Sequence, residues 1–372
     1  MKVRTLTLRH FRNYRQADLA FGEGLHLVFG ANAQGKSNLL EALHLALTGR
    51  SARAGRDVDL IAFGAETARV RVGLEQERAG RLEEVDLVLL REGERALRRL
   101  RVNGIPGTRR ALSGRVGSVL AAPEDLAVVT GPPALRRRFL DVALVQLSPA
   151  YHDLLARYLR VVEQRNRLLR TGRFEGVEPW DAQLVDLGAR LTARRRAFVE
   201  RLAPRAAAWY AVLAGREEPL CVEYAPAWAG SEEALPAVAE AALRAVRRAE
   251  AARRVTLTGP HRDDLRLAVA GCDLRTFGSR GQQRAAALAL RVAEYEVARE
   301  EWGEAPILLL DDVVAELDPT RRDRLLGALG EGQAILALTT VGARALDRPV
   351  RLYQVEAGTV REVACLPLFE TS

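Results

Sequence analysis

Apolar runs and alternations dominate the two ends of this chain, and helical spacing dominates its middle. Leu25-His-Leu-Val-Phe29 reads as a buried strand, and Asn38 to Leu47 as a helix with Leu39, Leu40, Leu43 and Leu47 on one face. Val70, Val72 and Leu74 alternate with polar residues. Val85 to Leu90 and Arg99 to Val102 also read as strands, with a turn at Asn103-Gly104. After Gly131-Pro-Pro133 the period becomes helical. Leu154, Leu155, Tyr158, Leu159 and Val162 make one stripe, Pro149 and Gly172 punctuate it, and further helices are predicted over about 181–213 and 233–253. Strands resume at Val255 to Leu257 and Leu265 to Val269, and Pro306-Ile-Leu-Leu-Leu310 suits a central parallel strand buried on both faces. The predicted class is α/β: residues 1–130 and 254–372 form a split core with an antiparallel β lobe, and 131–253 form an inserted α-helical arm.

Composition narrows the function classes. The chain has 372 residues, 48% hydrophobic and 28% charged, ordinary for a folded globular protein. Cys221, Cys272 and Cys365 are widely separated, and the five histidines lack zinc-ligand spacing, which argues for a reducing compartment and against a structural zinc. The first residues lack the apolar core of a signal peptide, and no charge-free run approaches the ~20 residues of a membrane helix. A cytoplasmic protein with no membrane partner is therefore expected. The net charge of +8 points to an acidic partner, most often nucleic acid. Of the 56 basic residues only Lys2 and Lys36 are lysine, so each surviving lysine invites a specific reason.

Lys36 has one. Gly30-Ala31-Asn32-Ala33-Gln34-Gly35-Lys36-Ser37 matches GxxxxGK[ST] between a strand and a helix, and in so lysine-poor a chain coincidence is improbable. Gly30 and Gly35 let the backbone curl so that its N–H groups face a polyphosphate, and the helix N-terminus adds partial positive charge. Lys36 is then placed to reach the β- and γ-phosphates of ATP, and the Ser37 hydroxyl to ligate Mg2+. The expected nucleotide-binding stretch runs from Gly30 through Asn38.

Two further stretches carry chemistry. The strand 307–310 ends in Asp311-Asp312, at the strand end where such sheets bind ligands. Asp311 is placed to hold the magnesium, and Asp312 to orient or deprotonate an attacking water. Upstream, Ser279-Arg280-Gly281-Gln282-Gln283 precedes an amphipathic helix bearing Leu288, Val292 and Tyr295. Ser279 is a good N-cap, and the N–H groups beside it form a second anion site. Ala315-Glu316-Leu317-Asp318-Pro319 follows the acidic strand.

In this order the motifs resemble those of ABC-type ATPases: a phosphate loop, a signature at Ser279–Gln283, a Walker B pair at Asp311-Asp312 and a D-loop at Glu316-Leu317-Asp318. More closely, the whole chain resembles the RecF family, bacterial DNA-repair proteins of the SMC-like group. Phe11-Arg12-Asn13-Tyr14, Pro123-Glu124-Asp125, Arg137-Arg-Phe-Leu-Asp141, Glu163-Gln-Arg-Asn166 and Thr258-Gly-Pro-His-Arg-Asp-Asp264 add to the likeness. The resemblance implies a P-loop ABC-type ATPase core with a mixed sheet. It implies a composite site: Lys36 and Asp311 of one subunit hold ATP, and Ser279, Arg280, Gly281 and Gln282 of another cap the γ-phosphate, giving an ATP-dependent homodimer. It places Arg12 and Asn13 beside the nucleotide, Asn32 at the γ-phosphate or attacking water, and Glu124 in the region of the Q-loop, where no glutamine stands. His261 lies in the family-like Gly-Pro-His-Arg stretch, where a buried structural role is favoured over a functional contact with the nucleotide. The second acid is Asp312 where transporters usually have Glu, so slow hydrolysis is expected. The family also implies partners RecR and RecO, double-stranded DNA and single-strand/double-strand junctions, nucleoid association, and a role in loading recombinase at single-strand gaps.

Residues 95–115 carry seven arginines and no acid, and 134–173 carry nine arginines against three acids. Arg109, Arg110, Arg136, Arg137 and Arg138 are the candidate phosphate contacts. Only 5% of residues are aromatic, which favours duplex backbone contacts over single-strand stacking. About 240 residues separate Lys36 from Ser279, which is long for a transporter cassette; the absence of sustained heptads argues against a long SMC-type coiled coil, and no acidic cluster supports a nuclease.

Overall fold

The computed structural model describes residues 1–172, 176–215, 218–314, 317–328, 332–339 and 350–363. Ala315, Glu316 and Cys365 lie outside the described residues. The chain begins with β1 (Lys2–Phe11), β2 (Tyr14–Ala20), β3 (Leu25–Phe29), α1 (Lys36–Thr48), β4 (Thr67–Gln76), β5 (Arg81–Glu92), β6 (Arg95–Val102), β7 (Ile105–Gly107) and β8 (Ser118–Ala121). Then come α2 (Leu126–Thr130), α3 (Pro133–Leu147), α4 (Pro149–Thr171), α5 (Glu178–Ala214), β9 (Leu220–Ala225), α6 (Leu235–Arg253), β10 (Asp264–Val269) and β11 (Cys272–Asp273). The last elements are α7 (Leu274–Phe277), α8 (Arg280–Trp302), β12 (Ile307–Asp311), α9 (Pro319–Ala328), β13 (Ala334–Leu338), β14 (Val350–Glu356) and β15 (Thr359–Val363). They divide into two compact units, Met1–Asp125 with Glu294–Ser372, and Leu126–Ala293.

The first unit is built on two six-stranded sheets. One is antiparallel throughout, in the order β2-β1-β4-β5-β6-β7. The other has the order β15-β14-β3-β13-β12-β8 and is parallel except for β15. The expected lobe turn is present: Val102 pairs with Ile105 across Asn103 and Gly104, both with positive φ, 53° and 77°. That is the backbone a two-residue hairpin loop needs and Asn-Gly supplies. Ile307, Leu308, Leu309 and Leu310 are all fully buried, as a central parallel strand requires.

Helix α1 touches strands of both sheets, so the single apolar face expected from its leucines is only part of its burial. Leu39, Leu40, Leu43 and Leu47 are inside, but so are Leu45, Glu41 and His44. A helix buried all round needs partners for each polar side chain. Glu41 receives two bonds from Arg12 and one from Ser51, and His44 Nδ1 lies 3.0 Å from Ser118 Oγ.

The second unit combines the long helices with a small antiparallel sheet, β11-β10-β9. It contains the segment expected as the arm. Two local expectations are corrected. Leu159 is 50% exposed, and the inward stripe of α4 runs through Leu154, Leu155, Tyr158, Val161, Val162, Arg165 and Leu169. Val255 to Leu257 is irregular and not a strand: the Thr256 backbone N–H and hydroxyl both bond Asn166 Oδ1, and the Leu257 N–H bonds Glu250.

Arginine supplies the polar interior of this unit. Arg165 is fully buried and donates to Asp181 at 2.7 Å, to Glu250 at 2.6 and 3.0 Å and to Thr256 at 3.0 Å. Arg195 is held by Asp141, Asp263 and the Pro260 carbonyl. Among the described residues no helix is long and apolar enough to cross a membrane.

Removing one side of a buried pair leaves the other charge stranded. Arg165→Ala, which strands Glu250 at 1% exposure, is expected to cost about 3–5 kcal/mol and lower the urea midpoint accordingly. Arg190→Ala, at an exposed pair with Asp186, is expected to change stability by less than about 1 kcal/mol. Equal midpoints for the two variants would contradict this account of the interior.

Candidate nucleotide-binding site

The phosphate loop lies between β3 and α1, and its glycines are forced by neighbouring chain. A Cβ on Gly30 would collide with the Val355 carbonyl of β14, and its φ is +154°. Gly35 has φ +123°, and a Cβ there would lie 2.7 Å from Asn13 Nδ2 and 2.9 Å from the Tyr14 hydroxyl. The turn after β1 braces the loop from outside. Asn13 Nδ2 donates to the Gln34 carbonyl at 2.8 Å, Asn38 Nδ2 to Asn13 Oδ1 at 2.8 Å, and the Tyr14 hydroxyl to the Gly35 carbonyl at 2.9 Å. The β14–β15 turn closes the other side, with the Ala357 N–H on Gln34 Oε1 at 2.6 Å.

Lys36 is 4% exposed, and its ammonium donates to the Gly30 and Ala31 carbonyls at 2.8 and 2.9 Å. Ser37 Oγ donates to Asp311 Oδ1 at 2.8 Å. These residues come from strands that are not neighbours: the sheet order is β3-β13-β12. Residues 274 positions apart therefore meet because parallel strands end on one side of the sheet. Burial pushes the Asp311 carboxyl up to about 6, and the nearby charge of Asp312 adds to this, while the Ser37 bond works against it. Arg53 and Glu124, themselves 3.6 Å apart, also act on Asp311, so Glu124 lies within reach of the acidic end of the site.

Asp312 takes the left-handed backbone, φ 54°, immediately after β12. The intervening strand contributes a residue that the sequence reading missed. Thr339, just beyond β13, has its Oγ1 3.1 Å from both Asn32 Oδ1 and Asp312 Oδ1. It thus joins the loop to the second acid. Its signal was a hydroxyl directly after the apolar run Ala334 to Leu338, the same placement that marked Asp311. The second omission is Glu41, whose two bonds to Arg12, each 3.0 Å, fix that guanidinium beside the loop. Arg12, Asn13, Asn38, Arg53, Arg56 and the fully exposed Phe63 are among the residues lining an open cavity of about 860 Å3 there.

Ser279, Arg280, Gly281 and Gln282 belong to the second unit. Ser279 Oγ accepts from the Gln282 N–H at 3.2 Å, and Gln282 Oε1 accepts from the Ser279 N–H at 2.8 Å. This reciprocal cap fixes the start of α8 and leaves Ser279, Arg280 and Gly281 exposed. His261 is held by Tyr158 and the Thr256 carbonyl, and burial drives it down to about 4, so it is neutral at physiological pH. Of the candidate DNA contacts, Arg109, Arg110 and Arg138 are exposed, and Arg137 is partly buried with a bond to the Asp263 carbonyl. Arg136 is 6% exposed and bound through two nitrogens to Asp264, at 2.7 and 3.0 Å, so its guanidinium is spent inside the unit.

Among the described residues no group of three or more His, Cys, Asp or Glu could hold a metal by itself. One hydroxyl and one carboxylate in contact instead make the hard-oxygen half-site that suits Mg2+ completed by phosphates.

A phosphate loop and an acidic strand end on one parallel sheet, beside an antiparallel lobe, with a capped signature helix elsewhere in the chain, define an ATPase fold of the ABC and SMC-head class. The family model described as RecF/RecN/SMC N terminal domain matches residues 2–361. DNA replication and repair protein RecF of Symbiobacterium thermophilum is 43% identical, over 97% of this chain and 98% of its own. The RecF of Geobacillus kaustophilus is 38% identical over 97% and 99%. A solved structure of the recombination mediator protein RecF with ATP, in the RecFOR pathway, has a TM-score of 0.88 at 29% identity, over 97% of each chain. An SMC head bound to the winged-helix domain of ScpA shares the fold, with a TM-score of 0.56 at 18% identity, over 98% of this chain and 97% of that one. The chain belongs to the RecF family of DNA replication and repair proteins.

The raised Asp311 has a measurable consequence without nucleotide or metal. Its folded value near 6 exceeds the ordinary 3.8, so between these values the folded state holds the extra proton. Stability is therefore lost as pH rises from about 4 to 6 and stays lost above. Asp311→Asn is expected to raise stability at pH 7 by about 1–3 kcal/mol, with a smaller difference at pH 4. Thermal unfolding of both proteins across this range checks it, and parallel profiles would count against the burial assigned to Asp311.

Proposed function

We propose that this protein binds ATP with Mg2+ at Gly30 to Asn38, dimerises on doing so, and holds DNA near single-strand gaps in recombinational repair. The observation that carries the reading is the meeting of Ser37 with Asp311 beside the buried Lys36. In this reading Lys36 exchanges its two carbonyl partners for the β- and γ-phosphates. Ser37 and Asp311 hold the Mg2+, directly or through water, and the ion supplies charge neutralisation at those phosphates. Arg12 and Asn13 face the nucleotide from the turn after β1. Asp312, held by Thr339, orients the attacking water, and the shorter side chain of Asp312 makes turnover slow.

Ser279 to Gln282 of a second copy cap the γ-phosphate, so ATP belongs to the interface and favours the dimer by mass action. Segment 131–253 serves as the arm. Arg109, Arg110, Arg137 and Arg138 contact duplex phosphate, and Arg136 is left out because Asp264 already occupies it. Loading of recombinase with RecR and RecO, action at single-strand/double-strand junctions, and DNA-stimulated hydrolysis come to this chain from its family.

Light scattering of the whole protein tests the core of this reading. ATP-Mg2+ is expected to double the molar mass of wild type, and neither Lys36→Met nor Ser279→Arg is expected to respond. A wild-type monomer with ATP bound would refute the composite site. Thr339→Val is expected to keep ATP affinity within about threefold while lowering kcat about tenfold or more, the loss general-base alignment typically carries. An unchanged kcat would remove Thr339 from the mechanism.

A further inference from the structure

Strand β6 has two unlike faces. Its inward residues are Ala96, Arg98, Leu100 and Val102, and Arg98 is tied there to Asp57. Its outward residues are Arg95, Leu97, Arg99 and Arg101, all exposed. Directly opposed residues in an antiparallel ladder share a face. Arg9, Arg69, Val88 and Arg99 therefore form one row across four strands, and Thr7, Arg71, Asp86 and Arg101 form the next.

The acids of this face are largely taken by its inner arginines. Asp18 is bound by Arg9, and Asp86 is bound by Arg69 through two bonds of 2.7 Å. Arg71 stays 3.7 to 3.8 Å from Asp86 and Glu84. Arg95, Arg99 and Arg101 enter no ion pair or side-chain hydrogen bond with any described residue; Arg101 only adds to the field on Asp86, and Glu92 opposes Arg95 without a bond. Positive charge is thus left over on the β6 side of the sheet.

We propose that the outward face of β6, through Arg95, Arg99 and Arg101, contacts the phosphates of duplex DNA. This rests on the DNA-binding reading above and selects, from the arginine-dense stretch 95–115, three residues that are not among the candidate contacts named from sequence. Alternate residues on a strand stand about 6.8 Å apart, so the three guanidinium groups span roughly 20 Å, or about six base pairs of a duplex rising 3.4 Å per step. Three unpaired, five-donor forks along one face of a strand suit a repeating anion. The row has no aromatic side chain on which a base could stack, so the backbone, not the bases, is the target. A protein partner would be expected to find an apolar centre, whereas the only large apolar side chain in this row is Leu97, between charges.

The test uses the full-length protein with Arg95, Arg99 and Arg101 all changed to Gln, and a second variant with all three changed to Lys. Duplex affinity is measured by anisotropy with ATP-Mg2+ over a series of KCl concentrations. Each phosphate contact contributes about 0.9 to the slope of log K against log salt. The Gln variant is expected to bind more weakly and to lose about 2–3 from the slope, the Lys variant to keep most of it, and both to retain ATP-dependent mass and basal ATP turnover. An unchanged slope in a Gln variant whose wild type binds DNA overturns the β6 assignment alone. Loss of binding to polyglutamate with duplex affinity intact also overturns it, in favour of an acidic protein. A wild type that binds no duplex at any salt overturns both this surface and the DNA-binding reading.

Discussion

The burial of α1 between two sheets is the constraint on which the candidate site depends. A helix with a solvent face can slide or tilt by small amounts; one gripped from both sides cannot, because close-packed interiors do not deform continuously. The phosphate loop therefore starts from a fixed point at Lys36. The Val355 carbonyl limits it at Gly30, and Asn13 and Tyr14 limit it at Gly35. The cost of that grip is visible at Glu41, a carboxylate with no access to water. Burying it requires charged partners, and the partner is Arg12 from the turn after β1. The same contact that neutralises the helix interior carries a guanidinium to the rim of the site.

Much of this was legible in the sequence because it is local. The strand-loop-helix, the apolar run before Asp311 and the Asn103-Gly104 turn each depend on a few adjacent residues, and each is found where expected. What escaped depends on strand order. Thr339 matters only because β13 lies between β3 and β12, and a spatial insertion of that kind leaves no trace in spacing along the chain. Leu159 misled for a related reason: a stripe of five apolar residues fits a helix face, but Arg165 and Val161 define the true one, and a buried arginine looks exposed to any hydrophobicity pattern. The irregular course at Val255 to Leu257 likewise follows from Asn166 and Glu250 bonding the chain there, not from its alternation.

The arginines show the same limit in its strongest form. In a chain with almost no lysine, arginine has to serve as structural ion and as surface charge alike, and density along the sequence cannot separate the two uses. Arg136, Arg165 and Arg195 are interior and fully engaged, whereas Arg138 beside the first of them is exposed. On β6 the separation occurs between adjacent residues: Arg98 is committed to Asp57 and Arg99 is free of any such bond. The alternation of a strand decides it, so charge becomes informative only after the register is known.

The polar groups of the loop region also satisfy one another in a way that bears on how a nucleotide is taken up. Lys36 has two carbonyls, Ser37 has Asp311, and burial raises the Asp311 carboxyl to about 6. In the proposed reading an arriving phosphate chain takes the place of the two carbonyls on the Lys36 ammonium, so that an ion–dipole contact becomes an ion pair. Binding in that reading is an exchange of partners within a frame that the Val355 carbonyl, Asn13 and Tyr14 already limit. The exception to this mutual satisfaction is the bridge from Asn32 through Thr339 to Asp312. A hydroxyl has a single proton to donate, so Thr339 serves one of these oxygens at a time, and the carboxylate of Asp312 is the stronger acceptor of the two.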